Sequence, residues 1–117
     1  MQRLSSSEYA ELRAAFRDLM NYESNDPTAP IDPLTYVAPD GDTCLHVASH
    51  RGNLRAVELL VKAGVDVNRP GDMGSTPLHY AATPEVASFL IASGASIATT
   101  DVFGRLPLQA DGGKNAL

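Results

Sequence analysis

The chain has 117 residues, of which 44% are apolar and 20% charged, and it carries a net charge of −5. That length suits one domain with a packed core, and the acidic balance with scattered basic residues argues against nucleic-acid binding, because phosphates reward clustered Lys and Arg. The single cysteine, Cys44, excludes an intramolecular disulfide, and no apolar run approaches the roughly 20 residues of a membrane-spanning helix.

Residues 1–22 read as an N-terminal helix. Ser5 and Glu8 have capping-box spacing, and Tyr9, Leu12, Phe16, Leu19 and Met20 fall on one face at helical spacing. The opening residues lack the apolar stretch of a signal peptide, so a reducing, cytoplasmic setting is the expectation. Residues 23–39 form a Pro-rich acidic loop. Pro27, Pro30, Pro33 and Pro39 each remove a backbone donor and restrict the preceding residue. Ile31, Leu34, Tyr36 and Val37 are expected to anchor this loop to the core. From Asp18 to His50 there are six acids and no Lys or Arg, a region that suits either a solvated surface or a basic partner.

An internal repeat organises the remainder. Gly41-Asp42-Thr43-Cys44-Leu45-His46 returns 33 residues later as Gly74-Ser75-Thr76-Pro77-Leu78-His79, and a weaker copy, Gly104-Arg105-Leu106-Pro107-Leu108-Gln109, follows after 30 more. The second halves correspond too: Leu59-Leu60-Val61-Lys62-Ala63-Gly64 aligns with Phe89-Leu90-Ile91-Ala92-Ser93-Gly94. Thr43 and Thr76 are placed to cap a short helix, with Pro77 suited to its first turn. Asn53 is placed to cap a second helix with the apolar set Leu54, Val57, Leu60 and Val61, and Gly64 to end it in the left-handed conformation. Each copy is thus a helix pair that buries its apolar face only by stacking on a neighbour.

Thr76-Pro77-Leu78-His79-Tyr80-Ala81-Ala82, together with Gly64-Val65-Asp66-Val67-Asn68 and the 33-residue period, resembles the ankyrin repeat, over about residues 38–108. The resemblance implies an all-α solenoid of stacked helix pairs with turn fingers: an N-terminal capping helix, repeat 1 at 40–70, a shortened repeat 2 at 71–100 and a partial C-terminal repeat at 101–117. It also implies that His46 and His79 bond locally and tie neighbouring turns together. Cys44 replaces the expected Pro in the first copy and should be a small buried group. The second copy is three residues short between its helices, so Thr83 and Pro84 should open its second helix after an unusually tight turn. After Gln109, Asp111, Gly112 and Gly113 disfavour a further helix. Phe103, Leu106 and Leu108 are therefore expected to be partly exposed, and a homodimer through this thin end is one way to cover them.

Chemistry beyond binding finds little support. Asp42, His46 and His50 recur at four-residue steps, but the resemblance turns His46 inward and sets Asp42 before the helix, so no metal site is expected. Cys44 and His46 point apart on a helix, and neither a phosphate loop nor a serine elbow is present. No catalytic residue and no cofactor is inferred. The family binds partners with its fingers and first helices. That places Pro39, Asp40 and Asp42, then Asp72, Met73 and Ser75, then Val102, Phe103 and Arg105 on the binding face, with His50 and Arg51 at the end of the first inner helix. The expected function is that of a non-enzymatic module binding a partner protein, a basic one if the acidic stretch steers docking. The alternative is a small acidic inhibitor, or immunity-type protein, that neutralises a basic enzyme or toxin.

Overall fold

The N-terminal helix forms for the reasons its sequence gives. In the computed structural model, which describes residues 3–109, helix α1 spans Ser6–Ala15. The Ser5 hydroxyl accepts the Glu8 N–H at 3.0 Å, and the Glu8 carboxylate accepts the Ser5 N–H at 2.9 Å. Leu12 and Phe16 are buried, but the helix stops at Ala15, so the apolar stripe ends early: Leu19 is half-buried and Met20 is exposed.

Four more helices follow: α2 (Cys44–Arg51), α3 (Leu54–Lys62), α4 (Pro77–Tyr80) and α5 (Pro84–Ala92), with 3-10 turns at Asp72–Gly74 and Pro107–Gln109. They lie in two layers. Helices α2 and α4 and the Pro107–Gln109 turn form an inner row; α1, α3 and α5 form an outer row. The core runs between the rows through Leu45, Ala48, Val57, Leu60, Leu78, Val86 and Leu90. Asn53 caps α3 by accepting the Ala56 N–H, and Thr83 caps α5 by accepting the Val86 N–H. Gly64 follows α3 with φ +95°, the left-handed value expected of it. Cys44 is fully buried.

Helix α1 sits where the outer helix of a preceding repeat would sit. Three ion pairs fasten the N-terminal segment to repeat 1: Glu8–Lys62 at 2.8 Å, Glu11–Arg55 at 2.9 Å and Asp18–Arg51 at 2.6 Å. Exposed pairs like these contribute little individually, so the apolar contacts of Leu12 and Phe16 carry most of the attachment. The following loop closes on itself, since Asn21 donates from its backbone to Pro27 O and from its side chain to Pro30 O. Two expected anchors fail. Ile31 is buried and Tyr36 packs on the core, but Leu34 and Val37 are exposed, and Pro33 is buried instead. The chain turns here: Asp32 O accepts the Thr35 and Tyr36 N–H groups and the Asp32 carboxylate accepts the Leu34 N–H, so the four side chains do not share one side.

The shortened second repeat also differs from expectation. The inner helix loses four residues and the link after it gains one: α2 has eight residues with two before α3, whereas α4 has four with three before α5. The chain then leaves α4 through Ala81 and Ala82, and the Ala82 N–H donates to Ser49 O at 3.0 Å, satisfying a carbonyl near the end of α2.

Three fingers project from the inner row with one geometry. In each, the first residue's carbonyl accepts the fourth residue's N–H and its N–H donates to the fifth residue's carbonyl: Ala38–Asp42, Gly71–Ser75 and Asp101–Arg105. The fourth residue is always glycine, with φ +100°, +72° and +75° at Gly41, Gly74 and Gly104. Two histidines lock the fingers in series. His46 Nδ1 accepts the Thr43 N–H at 3.0 Å, which leaves Nε2 to donate to Ser75 O in the next finger, also at 3.0 Å. His79 repeats the arrangement, from the Thr76 N–H to Arg105 O. Gly71 permits this closeness, because a Cβ there would collide with the Asp42 carboxylate and the His46 ring. Residues 110–117, and with them the expected end of the third copy, lie outside the described residues.

Two outcomes follow from this packing. Leu60→Ala and Leu78→Ala should each cost about 2–5 kcal/mol in chemical denaturation, as truncation of a buried leucine does; an unchanged midpoint would contradict the stacking. The second concerns pH. Burial lowers the proton affinity of His46 below its ordinary value. Below about pH 6.5 the unfolded chain therefore takes up a proton that the folded chain resists. Stability should fall as pH drops from about 7 to 5, and His46→Gln should flatten that slope in thermal melts. The carboxylates held low by their partners, Glu8, Glu11, Asp18 and Asp101, lose their contribution only at more acidic pH.

Candidate interaction face

The side chains nominated from sequence separate into three groups. Ser75 is 6% exposed, and its carbonyl receives the His46 proton, so it belongs to the finger joint and not to the surface. Arg51 points away from the fingers. Its guanidinium donates to Ala15 O at the end of α1 and pairs with Asp18, where a cation suits the helix C-terminus. Both placements differ from the expectation: the first because the His46 ring packs onto the Ser75 carbonyl, the second because the end of α1 and the segment after it offer Arg51 the Ala15 carbonyl and the Asp18 carboxylate.

The second group surrounds Tyr80. The Asp42 Oδ1 atom accepts the Asp72 N–H at 2.8 Å and the Tyr80 hydroxyl at 3.3 Å. The exposed Asp40 accepts the Asp42 N–H. His46 and His50 present their rings edgewise to Tyr80, with centroids 5.6 and 6.0 Å away, and His50 remains exposed. Burial raises the Tyr80 phenol above its ordinary value, and the charges of Asp42, Asp72 and Asp40 raise it further. The phenol therefore sits in the field of three carboxylates. None of the three forms an ion pair among the described residues.

The third group is apolar. Met73 is 57% exposed, Val102 66% and Phe103 65%. Met73 and Phe103 occupy the third position of their fingers, where finger one has Asp40. The Val102 N–H donates to Met73 O at 3.0 Å, which sets the two tips side by side. Arg105 forms an ion pair with Asp101 at 2.8 Å and lies over the Phe103 ring, 5.1 Å from its centroid. Asp101 is buried, which alone would raise its pKa; hydrogen bonds from Arg105 and Phe103 outweigh that and hold it low. Leu106 and Leu108 are half-buried.

Sequence reading missed Tyr80 as part of this surface. Its position follows the repeat's His, where the first copy has Val47; only the distances to Asp42, His46 and His50 reveal it. The acidic stretch 18–50, read as one region, is dispersed: Asp18 is paired behind the fingers, Asp32 accepts the Tyr9 hydroxyl, and Asp40 and Asp42 lie at the first finger.

The arrangement suits binding better than nucleophilic chemistry. Burial pushes the Cys44 thiol up to about 12, whereas a reactive cysteine needs a stabilised thiolate. Both ring nitrogens of His46 and of His79 are engaged by backbone groups of the fingers. No helix among the described residues is long and apolar enough to cross a membrane.

Comparison with known proteins agrees with this architecture. A family model described as Ankyrin repeats (3 copies) matches residues 9–101, beginning inside α1. The chain is 42% identical over 77 residues to the human protein phosphatase 1 regulatory subunit 27, an alignment covering 63% of this chain and 50% of that protein. It is 37% identical over 81 residues to the RelA-associated inhibitor of Mus musculus, covering 67% of this chain and 9% of that one. With the NF-kappa-B inhibitor cactus of Drosophila melanogaster the identity is 39% over 56 residues, 44% of this chain and 11% of the other. The chain thus spans about half the length of the phosphatase subunit and far less of the two inhibitors. The repeat period, the two-layer stack and the match over residues 9–101 place this chain in the ankyrin-repeat family.

Proposed function

We propose that this chain is a non-enzymatic module that docks a partner protein along its row of fingers. The observation that carries the reading is the exposure of Met73, Val102 and Phe103 at the finger tips. Folding does not require large apolar side chains there, and such anchors rimmed by charge are what a protein interface uses for affinity. Three similar proteins bear names of regulators or inhibitors, which accords with a role exerted by binding. A second reading, an acidic inhibitor or immunity-type protein acting on a basic enzyme or toxin, is favoured by the unpaired Asp40, Asp42 and Asp72 beside the tips. A cytoplasmic setting accords with a lone, buried thiol. A homodimer through the third finger would use the same exposed Val102 and Phe103.

Affinity capture from host lysate at low salt tests the reading, with the wild-type chain run beside a Met73→Ala, Phe103→Ala, Asp40→Arg variant. A protein held by the wild type and lost by the equally folded variant is the expected result. Equal retention by both would move the binding face elsewhere. An enzyme recovered in this way and inhibited by the chain would select the inhibitor reading. Retention that weakens as salt rises from about one tenth to half molar would identify a charged partner.

A further inference from the structure

The three finger tips differ in chemistry along the row, and the differences are ordered. At the first and second fingers, Asp40, Asp42 and Asp72 gather near the Tyr80 hydroxyl with no cation paired to them among the described residues. At the third, the one carboxylate, Asp101, is consumed by Arg105, and the guanidinium in turn covers the Phe103 ring. The row therefore runs from an uncompensated negative end to a neutral apolar end formed by Met73, Val102 and Phe103.

Met73 adds an independent mark. It is the one non-glycine residue among the described ones with positive φ, +55°, in a finger whose neighbour Gly74 is also left-handed. A residue with a Cβ is disfavoured there, and Asn or Gly would fit with less strain. A long apolar side chain is thus held at a tip, mostly in solvent, at a cost to folding; strain of this kind collects where a side chain serves binding.

We propose that the finger row binds an extended segment of a partner protein in one polarity, with a Lys or Arg over the Asp40–Asp42–Asp72 end and a large apolar side chain over Met73, Val102 and Phe103. This rests on the reading that the fingers are the docking face, and it specifies what they select. The spacing follows from the stack. Neighbouring inner helices lie about 8–10 Å apart, and an extended chain rises about 3.3 Å per residue, so cation and apolar anchor stand about three residues apart. An acidic segment or a nucleic acid is repelled by the first two fingers. A segment with the cation alone leaves the apolar tips wet, and one with the apolar group alone leaves the carboxylates unpaired.

A displayed library of random dodecapeptides, selected at low salt against the wild-type chain, tests this directly. The enriched sequences should carry Lys or Arg about three residues from Leu, Met, Phe or Trp. In a synthetic peptide of that sequence, replacing the cation by Glu or the apolar anchor by Ser should each weaken binding at least about tenfold, as loss of a hot-spot contact does. Asp40→Asn with Asp72→Asn should remove the preference for the cation while leaving the apolar preference. Met73→Asn should melt at a higher temperature than the wild type and bind the peptide more weakly, a combination that a purely structural Met73 would not give. No enrichment, a consensus without the cation, an acidic consensus, or full affinity in Met73→Asn would each overturn the proposal. So would wild-type self-association abolished by Phe103→Ser, which would assign the tips to a second copy. Capture of a lysate protein through the tips without this peptide preference would remove the present inference alone, whereas failed capture would remove the docking reading beneath it.

Discussion

Two neutral imidazoles hold this molecule in register. Each sits at the start of an inner helix, takes a hydrogen bond from the backbone of its own finger, and gives one to a carbonyl in the next. A solenoid has no long-range sheet pairing or central core to set its repeats relative to one another. The apolar faces drive stacking, yet a greasy face tolerates sliding. A directed bond from a buried ring does not, since a slipped His46 would strand a backbone donor and an acceptor out of reach of water. The finger geometry, and thus the position of every tip side chain, descends from these two rings.

Much of the fold was legible because its determinants are local and repeated. The capping box at Ser5 and Glu8, the caps at Asn53 and Thr83 and the left-handed Gly64 each depend on residues within one turn of helix. The two histidines announced themselves by recurring. What failed depended on where the chain goes after an element ends. Leu34 and Val37 were expected inside because they are apolar, but the chain turns on Asp32, and Pro33 took the buried place. The shortening of repeat 2 was expected in the turn, but the lengths of α2 and α4 place it in the inner helix.

The finger tips were legible in outline and their surroundings misjudged in detail for a related reason. The tips Asp40, Met73 and Phe103 recur at the third position of each finger, and all three are exposed. Ser75 was misplaced because its partner, the His46 ring, lies 29 positions away, and Arg51 because its partner, Asp18, lies 33 positions away in sequence. Tyr80 is visible only in three dimensions, where two histidines and the carboxylate of another finger converge on it.

The brevity of α4 bears on how the chain comes together in time. A four-residue helix closes a single turn, and the first turn of any helix is its costly part. Alone, Pro77–Tyr80 has little reason to persist. It gains its support from groups that repeat 1 supplies: the Ser49 carbonyl, the His46 ring and the face of α2. Helices α2 and α3, of eight and nine residues and joined by two, depend less on a neighbour to form. Order should therefore spread from the first repeat toward the second, the same direction in which a ribosome releases the chain, so that the weaker pair always emerges onto a finished template.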